Sequence, residues 1–214
     1  MTTAYWIMDS YGQFGATDLA YVASTRLGWT PTLDAQGGTG YASGTEGVSW
    51  YKDRVAVAIA AAPDVFVVVG SVNDRTKVGA TVSAAAVSAL SALVATGRPV
   101  YAVLFAGTGG SPSTNTAAMA STVAAVEAGV SGATLIDGTG WTTGSGTEAV
   151  PMGDGNGDRY VQADGVHPNA AGHAYLGIRL AYVIEYPVAV SYVSGSGVVI
   201  QTEAGVPLHI EATA

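Results

Sequence analysis

An α/β fold built on a parallel sheet is what this sequence predicts, and three observations predict it. Apolar, β-branched runs suited to strands alternate along the chain with longer helix-like segments. One run, Val65–Val69, is continuously apolar, as expected of a strand buried on both faces. Gly and Pro stand at the ends of these segments, where they stop helices and open turns.

Taken in order, Ala4–Met8 reads as the first strand. Thr17–Leu27 reads as a helix, with Thr17 as its cap and Gly28 just past its end. Ser49–Ala62 is a second helix, stopped at Pro63, and Val65–Val69 the strand after it. Ala80–Ala95 is an Ala-rich helix that serves core packing and ends at Gly97 and Pro99. Val100–Phe105 is a strand, Ala117–Ala128 a helix and Thr134–Ile136 a short strand. After a Gly-rich stretch, Pro168 starts a last helix that runs to about Glu185. Beyond Tyr186 the texture changes. SYVSGSGVVIQTEAGVPLHIEATA carries β-branched runs and two turns, and reads as a hairpin-like appendage. The chain therefore divides into a core domain, residues 1–186, and a β-rich tail, residues 187–214.

A chain of 214 residues suits one domain with a sizeable core. Charged residues make up 11%, against roughly 25% in an average domain, and 49% are hydrophobic, so the surface is neutral and the chain folded. The net charge is −8 and no basic stripe exists, which argues against nucleic acid and anionic membrane as partners. Without cysteine there are no disulfides, thiolate metal sites or Cys nucleophiles. No signal-peptide pattern is visible, and no apolar run approaches the ~20 residues of a membrane helix. A soluble protein with no membrane insertion is expected; secreted, cell-surface and virion-associated settings all stay open.

In parallel α/β sheets ligands sit at the carboxyl ends of the strands. Four segments fall at that edge: MDSYG with Ser10, AQGGTGYASG around Gly40, GSVND with Asn73, and DGVHPNAAGH with Asp164 and His167. In that order they resemble the blocks of the SGNH hydrolases, also called GDSL esterases, over about residues 4–185. The sequence departs from the family at Met8, where the first block usually has glycine.

The residues support the same chemistry directly. Serine needs a base for its proton, a group to orient that base, and donors for the oxyanion. Of three histidines, His167 alone lies in a turn with a carboxylate three residues earlier. Asp164 would fix its tautomer, leaving the other ring nitrogen to face Ser10. The oxyanion donors would be the backbone N–H groups of Ser10 and Gly40 and the side-chain amide of Asn73, with Gly38 an alternative to Gly40. Asp9 reads as structural, holding the turn or capping the next helix. His173 reads as a packing or surface residue of the last helix, and His209 as a strand residue of the tail. Asp154, Asn156 and Asp158 in GDGNGDRY resemble a calcium loop that lacks its distal glutamate, and read as a turn near the site mouth. No Gly-Lys-Ser/Thr comes after the GGTG stretch, so it is not a phosphate loop.

What the resemblance implies is a three-layer α/β/α sandwich around a five-stranded parallel sheet of flavodoxin-like topology. It also implies a serine esterase for short acyl, chiefly acetyl, esters, working through an acyl-enzyme without cofactor or metal. The partner would be a small-molecule or glycan ester, and the tail could join copies of the chain into a homo-oligomer. The alternative is a non-catalytic binding or structural module of a larger assembly, on a phage particle or a cell surface.

Overall fold

The computed structural model describes residues 1–70, 72–105 and 130–187. Five parallel strands form its sheet: β1 (Thr2–Met8), β2 (Trp29–Ala35), β3 (Val65–Gly70), β4 (Val100–Leu104) and β5 (Ala133–Asp137). The spatial order is β2-β1-β3-β4-β5, the flavodoxin-like order that the family resemblance implies. The helices are α1 (Leu19–Leu27), α2 (Tyr51–Ala60), α3 (Gly79–Val94), the one-turn α4 (Gly157–Tyr160) and α5 (Ala170–Glu185). The helix expected at Ala117–Ala128 lies outside the described residues, as does the tail from residue 188 onward.

Strand side chains alternate between two cores because the pleat sends neighbours to opposite faces. Ala4, Trp6 and Met8 of β1, with Val65, Val67 and Val69 of β3, pack against Leu19, Ala20 and Ala23 of α1 and Leu176, Leu180 and Ala181 of α5. Tyr5 and Ile7, with Phe66 and Val68, pack instead against Tyr51, Val55 and Ala58 of α2 and Val82, Ala86 and Leu90 of α3. All six residues of β3 are buried, in line with its unbroken apolar run. The layers are thus α1 and α5, the sheet, and α2 and α3.

Three local expectations shift. α1 begins at Leu19 and is capped by Asp18, whose carboxylate accepts the Ala20 N–H, not by Thr17. Gly28 does end it, in the left-handed conformation at φ 68°. α5 begins at Ala170, with Asn169 accepting the Gly172 N–H, so Pro168 precedes the helix instead of opening it. β2 has no counterpart among the strands read from the sequence. WTPTLDA contains Pro31 and alternates only weakly in burial. It pairs with β1 alone, and an edge is where a strand tolerates proline.

In this strand order β1 and β3 flank the point where the connections reverse direction, and in open α/β sheets ligands bind at the carboxyl ends beside that point. β1 delivers Asp9 and Ser10 to it, and β3 delivers Asn73.

Candidate active site

The chain leaves β1 at Met8 and turns at once into a single 3₁₀ turn, Ser10–Gly12. Asp9 caps this turn, its Oδ1 accepting the Tyr11 N–H at 2.9 Å. Ser10 is thereby held at the edge of the sheet. Met8 in place of the family's usual glycine does not crowd the turn. Its side chain is fully buried, and room for it exists because the facing residue is Gly12. A Cβ on Gly12 would fall 3.0 Å from Met8 Cβ and 2.6 Å from Ala35 Cβ.

Asp164 and His167 come from the loop between α4 and α5. Asp164 Oδ1 accepts the N–H groups of Val166 and His167 at 2.9 and 3.0 Å, which folds the loop around the carboxylate. Gly165 supplies the left-handed residue that this turn requires, at φ 70°. Asp164 Oδ2 lies 2.6 Å from His167 Nδ1, and His167 Nε2 lies 2.8 Å from Ser10 Oγ. With Nδ1 donating to the carboxylate, Nε2 is the acceptor for the serine hydroxyl. Burial acts to raise the Asp164 pKa, but hydrogen bonds from the His167 ring and from the His167 and Val166 N–H groups outweigh it and hold the carboxyl below its usual range. The sequence-predicted residues Ser10, Asp164 and His167 are therefore one connected chain of contacts, with Ser10 and His167 157 residues apart in sequence.

Asn73 stands beside them. Its Nδ2 donates to the Thr39 carbonyl at 2.9 Å and to Asp9 Oδ2 at 3.3 Å. Asp9 thus both caps the serine turn and reaches the Asn73 amide. Gly40 departs from expectation. Its N–H donates to the Ser43 carbonyl at 3.1 Å and so is committed within its own loop. What demands glycine there is Asp74: a Cβ on Gly40 would fall 2.6–2.8 Å from the Asp74 carboxylate atoms. Gly38, the alternative, is exposed at φ 74°. Gly37 is closer to the serine, since a Cβ on it would lie 3.8 Å from Ser10 Cβ.

Asp74 and Arg54 hold the site's frame and were not singled out from the sequence. The buried Asp74 carboxylate accepts the N–H groups of Tyr41 and Ala42 at 2.8 and 3.1 Å and lies 2.8 Å from the Ser43 hydroxyl. It pins the 37–44 loop next to Asn73. Burial pushes its pKa up despite those three bonds. Arg54 reaches from α2 to Asp34 at the end of β2, to the Met8 carbonyl at 3.1 Å and to Thr39 Oγ1 at 3.2 Å. A buried cation in a largely apolar helix was the available signal for it.

His173 is buried in α5, its Nδ1 accepting the Leu19 N–H at 3.3 Å and its ring packed on Phe14. Phe14 in turn touches the His167 ring, with centroids 5.9 Å apart. The GDGNGDRY segment is a self-capping turn. Asp154 accepts from Ser145, Asp158 from the Met152 and Gly153 N–H groups, and Asn156 from the Thr143 N–H. Among the described residues no cluster of three or more His, Asp or Glu side chains could hold a metal. No described helix is long and apolar enough to cross a membrane.

The GDSL-like lipase/acylhydrolase family model matches residues 2–175. The chain belongs to this family, the SGNH hydrolases. No curated protein matches it by sequence. Solved structures share the SGNH hydrolase fold at low identity. A psychrotrophic esterase from Pseudoalteromonas sp., inhibited by monoethylphosphonate, aligns with TM-score 0.63 and 11% identity over 86% of this chain and 97% of that one. An acetyl xylan esterase from the rumen bacterium Butyrivibrio proteoclasticus aligns with TM-score 0.57 and 13% identity over 86% of this chain and 64% of that one. A family two carbohydrate esterase from Clostridium thermocellum, in complex with cellohexaose, aligns with TM-score 0.60 and 14% identity over 86% and 63%. The chain spans less than two thirds of the length of these two carbohydrate esterases.

Proposed function

We propose that this SGNH hydrolase is a serine esterase that cleaves short carboxylic esters, acetyl groups on carbohydrate foremost, through an acyl-enzyme on Ser10. The observation that carries the reading is the unbroken contact from Ser10 Oγ through His167 to Asp164, at 2.8 and 2.6 Å. A serine in such a chain can lose its proton as it attacks.

In the proposed course, Ser10 Oγ attacks the ester carbonyl carbon while its proton passes to His167 Nε2. Asp164 keeps the imidazole in the tautomer that can accept and stabilises the imidazolium that results. The negative oxygen is held by the Ser10 N–H and by Asn73 Nδ2, which exchanges its long contact with Asp9 for the oxyanion. Gly40 joins them only where its bond to Ser43 opens. Collapse breaks the C–O bond, and His167 returns the proton to the departing alcohol. Water, deprotonated by His167, then attacks the acyl carbon, releases the acid and restores Ser10. No cofactor takes part.

Support for the substrate class comes from the fold shared with an acetyl xylan esterase and a carbohydrate esterase. The half-exposed Ser10 and the exposed Asp164 fit an open site that admits a bulky alcohol portion. The test is hydrolysis of chromogenic esters of increasing acyl length, then of acetylated polysaccharides, by wild type and Ser10→Ala. Acetyl preference with activity lost in Ser10→Ala is expected. Equal rates in both proteins leave the non-catalytic module as the reading.

A further inference from the structure

Tyr11 comes directly after the proposed nucleophile, and the esterase chemistry gives it no part. It is nevertheless the residue through which two separate pieces of the site meet. Its ring is buried, stacked at 20° on Phe105 with Trp141 beyond. Its N–H is fixed to Asp9, and its hydroxyl donates to the Val166 carbonyl at 2.7 Å. Val166 is the residue before His167, and its own N–H donates to Asp164.

We propose that Tyr11 is a positioning residue: its hydroxyl latches the Asp164–His167 loop to the serine turn and so sets the Ser10–His167 distance. The inference rests on the esterase reading and deepens it.

Among the described residues, two hydrogen bonds join residues 9–13 to residues 162–168. One is the reactive Ser10–His167 contact itself, and the other is Tyr11–Val166. Other ties of the loop are local: Gln162 N–H to the His167 carbonyl at 2.8 Å, and Gln162 Nε2 to the Pro168 carbonyl at 2.9 Å. They shape the loop without fixing it to Ser10. Asp164 is exposed and His167 half-buried. Val166 packs against the core and the His167 ring touches Tyr11 and Phe14, but these contacts are not directional and do not by themselves set the Ser10–His167 distance. Phenylalanine would fill the space beside Phe105 equally well. A hydroxyl at the inner end of a buried ring needs a partner, and this one finds it one residue from the base. The hydroxyl stays neutral, because burial and then the nearby Asp9 and Asp164 carboxylates push its pKa up. It acts by holding a carbonyl, not by moving a proton. A reactive pair displaced by an ångström loses up to roughly a hundredfold in rate, which is why a single latch matters.

The test is Tyr11→Phe, assayed well below its melting temperature with a short acetyl ester and with an activated ethylphosphonate ester. The latch predicts kcat lower by about tenfold or more with KM within about twofold, and Ser10 phosphonylation slowed in parallel. A packing role predicts a lower Tm with both rates within about twofold of wild type, and that result overturns the latch. Should Tyr11→Phe not fold, 3-fluorotyrosine and 4-fluorophenylalanine placed at position 11 give nearly the same ring volume, and only the first can donate. The latch predicts retained kcat in the first and lost kcat in the second, and equal rates overturn it. A wild-type protein inert to both reagents overturns the esterase reading and the latch with it. An active wild type matched by Tyr11→Phe overturns the latch alone.

Discussion

Replacing Arg54 by leucine removes the cation that ties β1, β2 and the 37–44 loop together at the site. The residue is 3% exposed. It meets Asp34 through Nε at 2.9 Å and through Nη2 at 2.8 Å, and Nη2 also donates to the Asp34 carbonyl. Nη1 donates to the Met8 carbonyl and to Thr39 Oγ1. Removing one partner of a buried ion pair costs about 3–5 kcal/mol, mostly because a charge is left behind. Here the stranded Asp34 side chain is 18% exposed and can recover some hydration, which favours the low end. We expect a loss of about 3 kcal/mol, or a Tm lower by roughly 6–12 °C for a domain of this size. Urea and thermal unfolding read it out. Removing the stranded charge as well, in Arg54→Leu/Asp34→Leu, should recover part of the loss, since the carboxylate no longer lacks a partner. Turnover should fall with stability in the single variant. Met8 leads into the serine turn, and the Thr39 carbonyl holds the Asn73 amide. A loss under about 1 kcal/mol, the range of an exposed pair, would contradict a buried anchoring role. So would a double variant that is fully additive.

Gly40→Ala sets a Cβ against the buried Asp74 carboxylate, which three hydrogen bonds keep from moving. We expect a loss of about 2 kcal/mol or more together with reduced turnover, measured by melting and by ester hydrolysis. Gly38→Ala meets no neighbour and carries only the strain of its positive φ, of order 1 kcal/mol; a neutral Gly40→Ala would argue against the close packing on Asp74. Stability against pH separates Asp18 from His173. Burial pushes the Asp18 carboxyl up to about 6 from 3.8, so the folded state binds more protons in that window and stability falls as pH rises through it. Burial, then the charge of His167, pushes His173 down to about 4 from 6.5, so the unfolded state binds more protons there and stability rises with pH. Relative to wild type, Asp18→Asn should therefore gain stability as pH climbs from 4 to 6, and His173→Gln should lose it, each by up to roughly 3 kcal/mol. Profiles parallel to wild type in urea melts at several pH values would rule out both assignments.

The strands most legible in the sequence are those buried on both faces. Val65–Val69 announces itself because nothing polar interrupts it, and Ala4–Met8 because it ends in an acid and a hydroxyl. Trp29–Ala35 stays hidden because an edge strand pairs on one side only and tolerates Pro31. Ser10 and Asn73 are legible as blocks just after strands, and Asp164 and His167 as a block before the last helix, and the geometry brings them to one edge of the sheet. Gly40 shows how such a reading can misplace a cause. The glycine is required, but by the carboxylate of Asp74, far along the chain, and its N–H is spent locally. Arg54, Asp74 and Tyr11 act through long-range contacts to backbone atoms, which leave no spacing rule in the sequence. Asp18 displaces Thr17 as the cap of α1 because its carboxylate accepts both the Phe14 and the Ala20 N–H groups.

Whether Ser10 is the activated nucleophile is settled by phosphonylation and peptide mass spectrometry, because an activated ethylphosphonate ester reacts where a neighbouring base deprotonates a serine oxygen. One adduct is expected, on Ser10, formed in step with loss of ester hydrolysis and slowed strongly in His167→Ala. An adduct on another serine, or hydrolysis that survives full modification of Ser10, would show that the nucleophile lies elsewhere.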